Sequence, residues 1–257
     1  MNKSTLQTIF TLLDYTSLEG TDTNSSIQKW ITQLLKNQDE LNKKQSSNIH
    51  VAAVCVYPVF IATAKKTLAG SGIKVTSVAG AFPHGQLPVN LKLNEINYAL
   101  EQGADEIDFV ISRANVIEQN LTALFDEVSA AKEKCGTKIL KVILETGELP
   151  ANGLINLASQ TAIAAGADFI KTSTGKIQPG ATLNAVELML KSIKTHYDYS
   201  GKKVGIKPSG GIADVETATQ YLDLVLNVTG NDWVNPNLFR IGASRLLKDL
   251  SDKLLID

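Results

Sequence analysis

Phe169-Ile-Lys-Thr-Ser-Thr-Gly-Lys176 and Val204-Gly-Ile-Lys-Pro-Ser-Gly-Gly211 each join a short apolar run to a lysine and then to a glycine-bearing turn. A short apolar run bounded by turn residues reads as a strand buried on both faces. Lys171 and Lys207 therefore stand at the C-terminal ends of two buried strands. Lysine is rarely buried unless it is paired. Two lysines facing one interior push each other toward the neutral amine, the form that attacks a carbonyl to make a Schiff base.

Outward from this pair, strand-like and helix-like segments alternate along the chain. Leu12–Tyr15 is followed by an amphipathic stretch near Asn24–Lys36, and Val51–Val56 by a helix at Pro58–Ala69. Lys74–Ala79 leads to a helix from Val89 to Gln102, and Glu106–Ile111 to one at Glu118–Lys134. Lys138–Leu144, Asp168–Ser173, Lys203–Lys207 and Leu238–Ile241 complete the strands. Their helices lie near Gly153–Ala165, Leu183–Tyr197, Val215–Leu226 and Ser244–Leu255. Parallel strands joined by helices form a closed barrel or an open doubly wound sheet. The first turn, Thr16-Ser-Leu-Glu-Gly20, has no GxGxxG motif of the open-sheet kind. Eight regular units predict α/β architecture as a (β/α)8 TIM barrel, one domain over 1–257 with a short N-terminal helix. An internal echo keeps the same rhythm: Gly103-Ala-Asp105 and Gly166-Ala-Asp168 each end a helix and open a strand.

Composition narrows the function classes. The chain has 257 residues, 44% of them hydrophobic, and a formal net charge of -1, so bulk attraction to nucleic acid or an anionic membrane is not expected. No apolar run is long enough to span a bilayer, and the N-terminus lacks the apolar core of a signal peptide. Cys55 and Cys135 read as reduced thiols of a cytoplasmic protein. His50, His84 and His196 are scattered, so no metal ligand set and no cofactor is expected.

In a barrel the active site lies at the C-terminal ends of the strands. Asp14, Asp108, Lys141, Glu145, Lys171 and Lys207 gather there. Strand alternation puts Lys141 on the face with Ile139 and Ile143, toward the interior. At an ordinary pKa of about 10.4, only about 0.1% of a lysine is neutral near pH 7.5, so Lys207 and Lys141 are the expected source of any depression at Lys171. Asp108 would carry protons during dehydration of the carbinolamine. A second cluster suits an anion: Thr174-Gly-Lys176, Ser209-Gly-Gly211 and Gly242-Ala-Ser244 follow three consecutive strands, and the last helix begins near Ser244.

These stretches, with Val142-Ile-Leu-Glu-Thr-Gly-Glu-Leu149 and Arg240-Ile-Gly-Ala-Ser244, resemble the deoxyribose-phosphate aldolase family over nearly the whole chain. The resemblance implies a metal-free class I aldolase that splits 2-deoxyribose 5-phosphate reversibly into glyceraldehyde 3-phosphate and acetaldehyde, in deoxyribose catabolism. It implies Lys171 as the Schiff-base lysine, Lys207 as its charged neighbour and Asp108 as the proton carrier. Gly175, Lys176, Gly210, Gly211 and Ser244 fall on phosphate-contacting positions. Asp14 and Thr174 match residues near the sugar hydroxyls, and Lys141 joins the substrate set. Cys55 is placed toward the side by which substrate arrives. The implied partners are a small phosphosugar and an aldehyde, with a homodimer left open.

The chain departs from that pattern in three places. Ala213 stands where relatives often carry an arginine after the Gly-Gly pair, and Arg245 follows Ser244 where a second serine is common. Arg245 at the start of the last helix is the expected replacement phosphate contact. The chain closes on Leu254-Leu-Ile-Asp257, without the terminal tyrosine of some members. A different class I aldolase or transaldolase, and a non-catalytic phosphosugar-binding barrel, stand as the competing readings.

Overall fold

The computed structural model describes residues 2–256; Met1 and Asp257, the two ends of the expected domain, lie outside the described residues. Eight parallel strands run in the order β7-β6-β5-β4-β3-β2-β1-β8. They are β1 Leu13–Thr16, β2 Ala53–Val56, β3 Lys74–Ala79, β4 Glu106–Val110, β5 Ile139–Ile143, β6 Phe169–Lys171, β7 Gly205–Lys207 and β8 Ile241–Ala243. Bridges Ile206↔Phe239 and Ser209↔Gly242 join β7 to the β8 segment and complete the ring of a (β/α)8 barrel.

Helix α1 (Lys3–Thr11) precedes the barrel as the expected N-terminal helix, and α2 (Asn24–Gln45), α3 (Ile61–Thr67) and α4 (Val89–Glu101) follow the first three strands. After β4 come α5 (Arg113–Ile117) and α6 (Leu121–Cys135); α7 (Asn152–Ala164), α8 (Leu183–Ser200), α9 (Val215–Thr229) and α10 (Leu246–Ile256) follow the remaining strands. No helix among the described residues is long and apolar enough to cross a membrane. Alternation along each strand sorts the side chains. Leu140, Val142 and Leu144 pack outward among the helices in the main apolar core, as do Ile107 and Phe109. Glu106, Asp108 and Lys141 take the intervening positions and are buried inside the barrel.

Three boundaries differ from the sequence expectation for local reasons. α2 continues well past Lys36 because its buried stripe runs on through Gln38 and Leu41. Gln38 is polar, yet its side-chain oxygen accepts the Val51 N–H at 3.0 Å, so it belongs to that stripe. The helix expected from Glu118 is split: Gln119 has φ 56, and the Asn120 side chain caps α6 by accepting the Ala123 N–H at 3.2 Å. The last strand lies later than Leu238–Ile241. Leu238 and Phe239 still fold back on Asn235 through backbone bonds of 3.0 and 2.8 Å, so regular pairing with β1 begins at Ile241.

The sequence echo is a repeated structural joint. Gly103 and Gly166 both have φ 98, outside ordinary side-chain territory. Asp105 then accepts the Val75 N–H at 2.8 Å and pairs with Lys65 at 2.9 Å. Asp168 does the same with the Leu140 N–H at 2.8 Å and Lys132 at 2.7 Å. Each aspartate ties the neighbouring strand to a helix at the bottom of the barrel.

Candidate active site

β4, β5, β6 and β7 place their inward polar residues in register: Asp108 pairs across with Lys141, and Lys171 with Lys207. Lys171 Nζ donates to Asp108 Oδ2 at 2.7 Å, and Lys207 Nζ donates to the same oxygen at 2.7 Å. Lys141 donates to the other oxygen, Oδ1, at 3.1 Å. Below them, Lys207 also meets Asp14 at 2.5 Å and Lys141 meets Glu106 at 2.5 Å. Arg240 closes the base of the cluster with bonds to Asp14 at 2.6 Å and Glu106 at 2.7 Å. The Thr76 hydroxyl donates to Glu106 at 3.0 Å.

The electrostatics follow from this packing. Burial would push Asp108 up, but the ammonium groups of Lys141, Lys171 and Lys207 outweigh it and hold the carboxyl well below the usual range. Burial opposes the charge on Lys207, yet Asp108 and Asp14 outweigh it and hold Lys207 above the ordinary lysine range. Burial likewise opposes ionisation of Asp14, and Arg240, Lys207 and Lys141 together keep it low. Lys207 is thus a fixed cation. Three inward carboxylates, Asp14, Glu106 and Asp108, face the buried basic groups Lys141, Lys171, Lys207 and Arg240, and the partly exposed Lys74 also pairs with Glu106 at 3.2 Å. The cations outnumber the carboxylates, so one of them can lose its proton without leaving a carboxylate unpaired.

Lys171 is the member of this set that reaches the pocket above it. That pocket, about 190 Å³, is lined by Lys171, Thr174, Gly175, Lys176, Gly210, Gly211, Ser244 and Arg245, with Thr16, Leu18 and Glu19 on the opposite side. Asp14, Asp108, Lys141 and Lys207 are fully buried beneath it and do not line its wall. Asp14 and Lys141, expected among the substrate contacts, lie at this lower level, with their charged ends paired with Arg240, Lys207, Glu106 and Asp108. Cys55, expected toward the arriving substrate, is fully buried against Leu18 and Val78. Burial pushes its thiol up to about 11.

The loops above the strands are shaped by backbone geometry. Gly175, Gly210 and Gly211 have φ of 78, 83 and 85, a region that favours glycine. A Cβ on Gly242 would lie 3.1 Å from Lys207 Cε and 2.8 Å from Ser209 Cβ, so glycine there leaves room for the buried lysine. Thr174 is held by Glu145, whose carboxylate accepts from Thr174 Oγ1 at 2.6 Å and from its N–H at 3.2 Å. Burial pushes the Glu145 carboxyl up, against the hydrogen bonds from Thr174 and the charge of Arg113. Ser244 and Arg245 are exposed at the rim, before α10. Arg245 lines both this pocket and a depression between α2 and α10.

Sequence reasoning missed Glu106 and underused Arg240. Glu106 lies two residues before Asp108, so strand alternation alone marks it as inward. Its partner Arg240 is 134 positions away, and that distance hides the pair. The larger depression, about 710 Å³, opens at the opposite end of the barrel among Lys65, Lys74, Asp105 and Lys138, and touches the cluster only through Lys74, which pairs with Glu106 at 3.2 Å. Among the described residues no group of three or more His, Cys, Asp or Glu is placed to hold a metal ion.

Comparison with known proteins agrees with this geometry. The chain is 42% identical over 251 residues to the deoxyribose-phosphate aldolase of Homo sapiens, covering 95% of this chain and 79% of that protein. Against the Mus musculus enzyme of the same name it is 43% identical over 256 residues, with 95% and 79% covered. The fold superposes on the tetrameric deoxyribose phosphate aldolase of Aeropyrum pernix with a TM-score of 0.73, 24% identity and 100% of both chains covered. Residues 8–231 match the model of the DeoC/LacD family aldolases. With most of its length matched and the paired lysines at its strand ends, the chain belongs to the DeoC/LacD aldolase family.

Proposed function

We propose that this chain is a class I aldolase that cleaves 2-deoxy-D-ribose 5-phosphate reversibly to D-glyceraldehyde 3-phosphate and acetaldehyde. The observation that carries the reading is that Lys171 and Lys207 share one carboxylate oxygen of Asp108 beneath a pocket edged by Gly175, Lys176, Gly210, Gly211 and Ser244. The neutral amine of Lys171 attacks C1 of the open-chain sugar. The carbinolamine loses water to give an iminium. The C2–C3 bond then breaks, its electron pair passing to the iminium as an enamine, while the C3 hydroxyl gives up its proton and becomes the aldehyde of glyceraldehyde 3-phosphate. Protonation of the enamine at C2 and hydrolysis release acetaldehyde and free Lys171.

The surrounding groups suit these steps. Lys207 stays charged and opposes a second charge on Lys171, which favours the nucleophilic form. Asp108 is a weak base while three ammonium groups surround it. When Lys171 gives up its charge, one of the three is gone and Asp108 becomes a better proton acceptor, in step with carbinolamine formation. The glycine-bearing loops offer backbone N–H groups to the phosphate, and Lys176, with Arg245 at the rim, supplies full charges. No step asks for a metal ion or an organic cofactor.

We take residues 1–257 as one barrel domain. A cytoplasmic location fits the unpaired, buried Cys55 and Cys135. A homodimer would cover apolar side chains exposed on the outer helices, such as Leu91, Tyr98 and Phe125. The direct test is a coupled assay for glyceraldehyde 3-phosphate released from 2-deoxyribose 5-phosphate. Turnover that persists in chelator supports the reading, and absence of cleavage, or cleavage restored only by zinc, sinks it.

A further inference from the structure

The pocket proposed for the phosphate contains a carboxylate. Glu19, on the loop after β1, lines that pocket together with Gly210, Gly211, Ser244 and Arg245. Its Oε1 pairs with Lys176 Nζ at 3.1 Å, from the far side of the barrel mouth. Both backbones are fixed. The Asp22 carboxylate accepts the Glu19 N–H at 3.0 Å and the Ser17 hydroxyl at 2.9 Å, and Leu18 beside it is buried. On the other loop the Lys176 N–H donates to Thr174 Oγ1 at 3.2 Å. The two loops that carry the pair are therefore anchored, while the Glu19 side chain itself is mostly exposed.

A phosphate that takes Lys176 competes with Glu19 for its ammonium, and the carboxylate then stands close to a dianion. A sugar without phosphate carries no such charge, and its terminal hydroxyl can donate to Glu19. We propose that Glu19 is a specificity-determining residue: it competes for Lys176, weakens the hold on phosphate, and narrows the preference for phosphorylated over unphosphorylated sugars. The proposal rests on the phosphosugar reading above. An exposed pair contributes little, so the expected effect is modest, about three- to fivefold, and it should shrink as salt screens the charges.

The test compares Glu19→Gln with the unaltered chain in two ways: kinetics on 2-deoxyribose 5-phosphate and on 2-deoxyribose, and calorimetric titration with inorganic phosphate. Glu19 is mostly exposed, so the variant keeps the fold. The expected result is a ratio of kcat/KM values, phosphorylated over unphosphorylated, that rises about three- to fivefold, carried by a lower KM for the phosphorylated sugar. Inorganic phosphate should bind the variant tighter by a similar factor, with the difference fading at high salt. Phosphate binding that is unchanged, weaker or absent in the variant overturns the proposal. If the unaltered chain cleaves neither sugar, the aldolase reading fails, and the phosphate titration still decides the role of Glu19.

Discussion

Lys171 and Lys207 stand side by side in register on β6 and β7 and donate to one oxygen of Asp108 at 2.7 Å each. Their nitrogens can be no farther apart than twice that distance. Two charges so close repel by about 3 kcal/mol at an effective dielectric constant of about 20. The Asp108 carboxylate between them offsets that repulsion and lets the pair stay folded. Lys171 alone of this cluster reaches the pocket.

Replacing Lys207 by leucine removes the fixed cation. Turnover should fall by about a hundredfold or more, and the pH optimum should move up. A pH–rate profile measures both. A merely structural lysine would lower stability and leave the optimum where it was.

Asp108→Asn should weaken both activity and fold, because three buried ammonium groups lose their shared counter-charge; the expected loss is about 3–5 kcal/mol by denaturant titration. The pH dependence has a definite sign. Asp108 is held below its unfolded value, so its pairing is fully present above about pH 4 and is lost as pH falls further through the folded value. The unaltered protein should lose stability on acidification in that range, and the asparagine variant should show a shallower decline. Parallel declines would remove Asp108 from the account of acid stability.

The legible part of this molecule was the part written locally. Apolar runs with a lysine at the end, glycines after three consecutive strands and the Gly-Ala-Asp joints each declare themselves within a few residues. The floor of the site did not. Glu106 reads as the polar start of a strand until Arg240 is brought beside it, and the pairing of Asp14 with Arg240 and of Lys141 with Glu106 joins residues far apart in sequence. Likewise, the break at Gln119 rests on a single positive φ within a sequence that otherwise continues as helix.

Gly205→Ala tests the packing that keeps β6 and β7 together. A Cβ there would lie 2.4 Å from the Phe169 ring, with no flexible end to move aside. Overpacking of this kind costs about 1–3 kcal/mol, which for a chain of this size lowers Tm by about 3–10 °C. A melting curve unchanged from the parent would mean that the ring has room to move.

The central claim, that Lys171 is the nucleophile and Lys207 its charged neighbour, is tested by reductive trapping. The protein is incubated with acetaldehyde, treated with borohydride, digested and mapped by mass spectrometry. A single N-ethyl lysine is expected at Lys171, in the Phe169–Lys176 stretch. Modification at Lys207 or Lys141 with Lys171 intact, or no adduct at all, would contradict it.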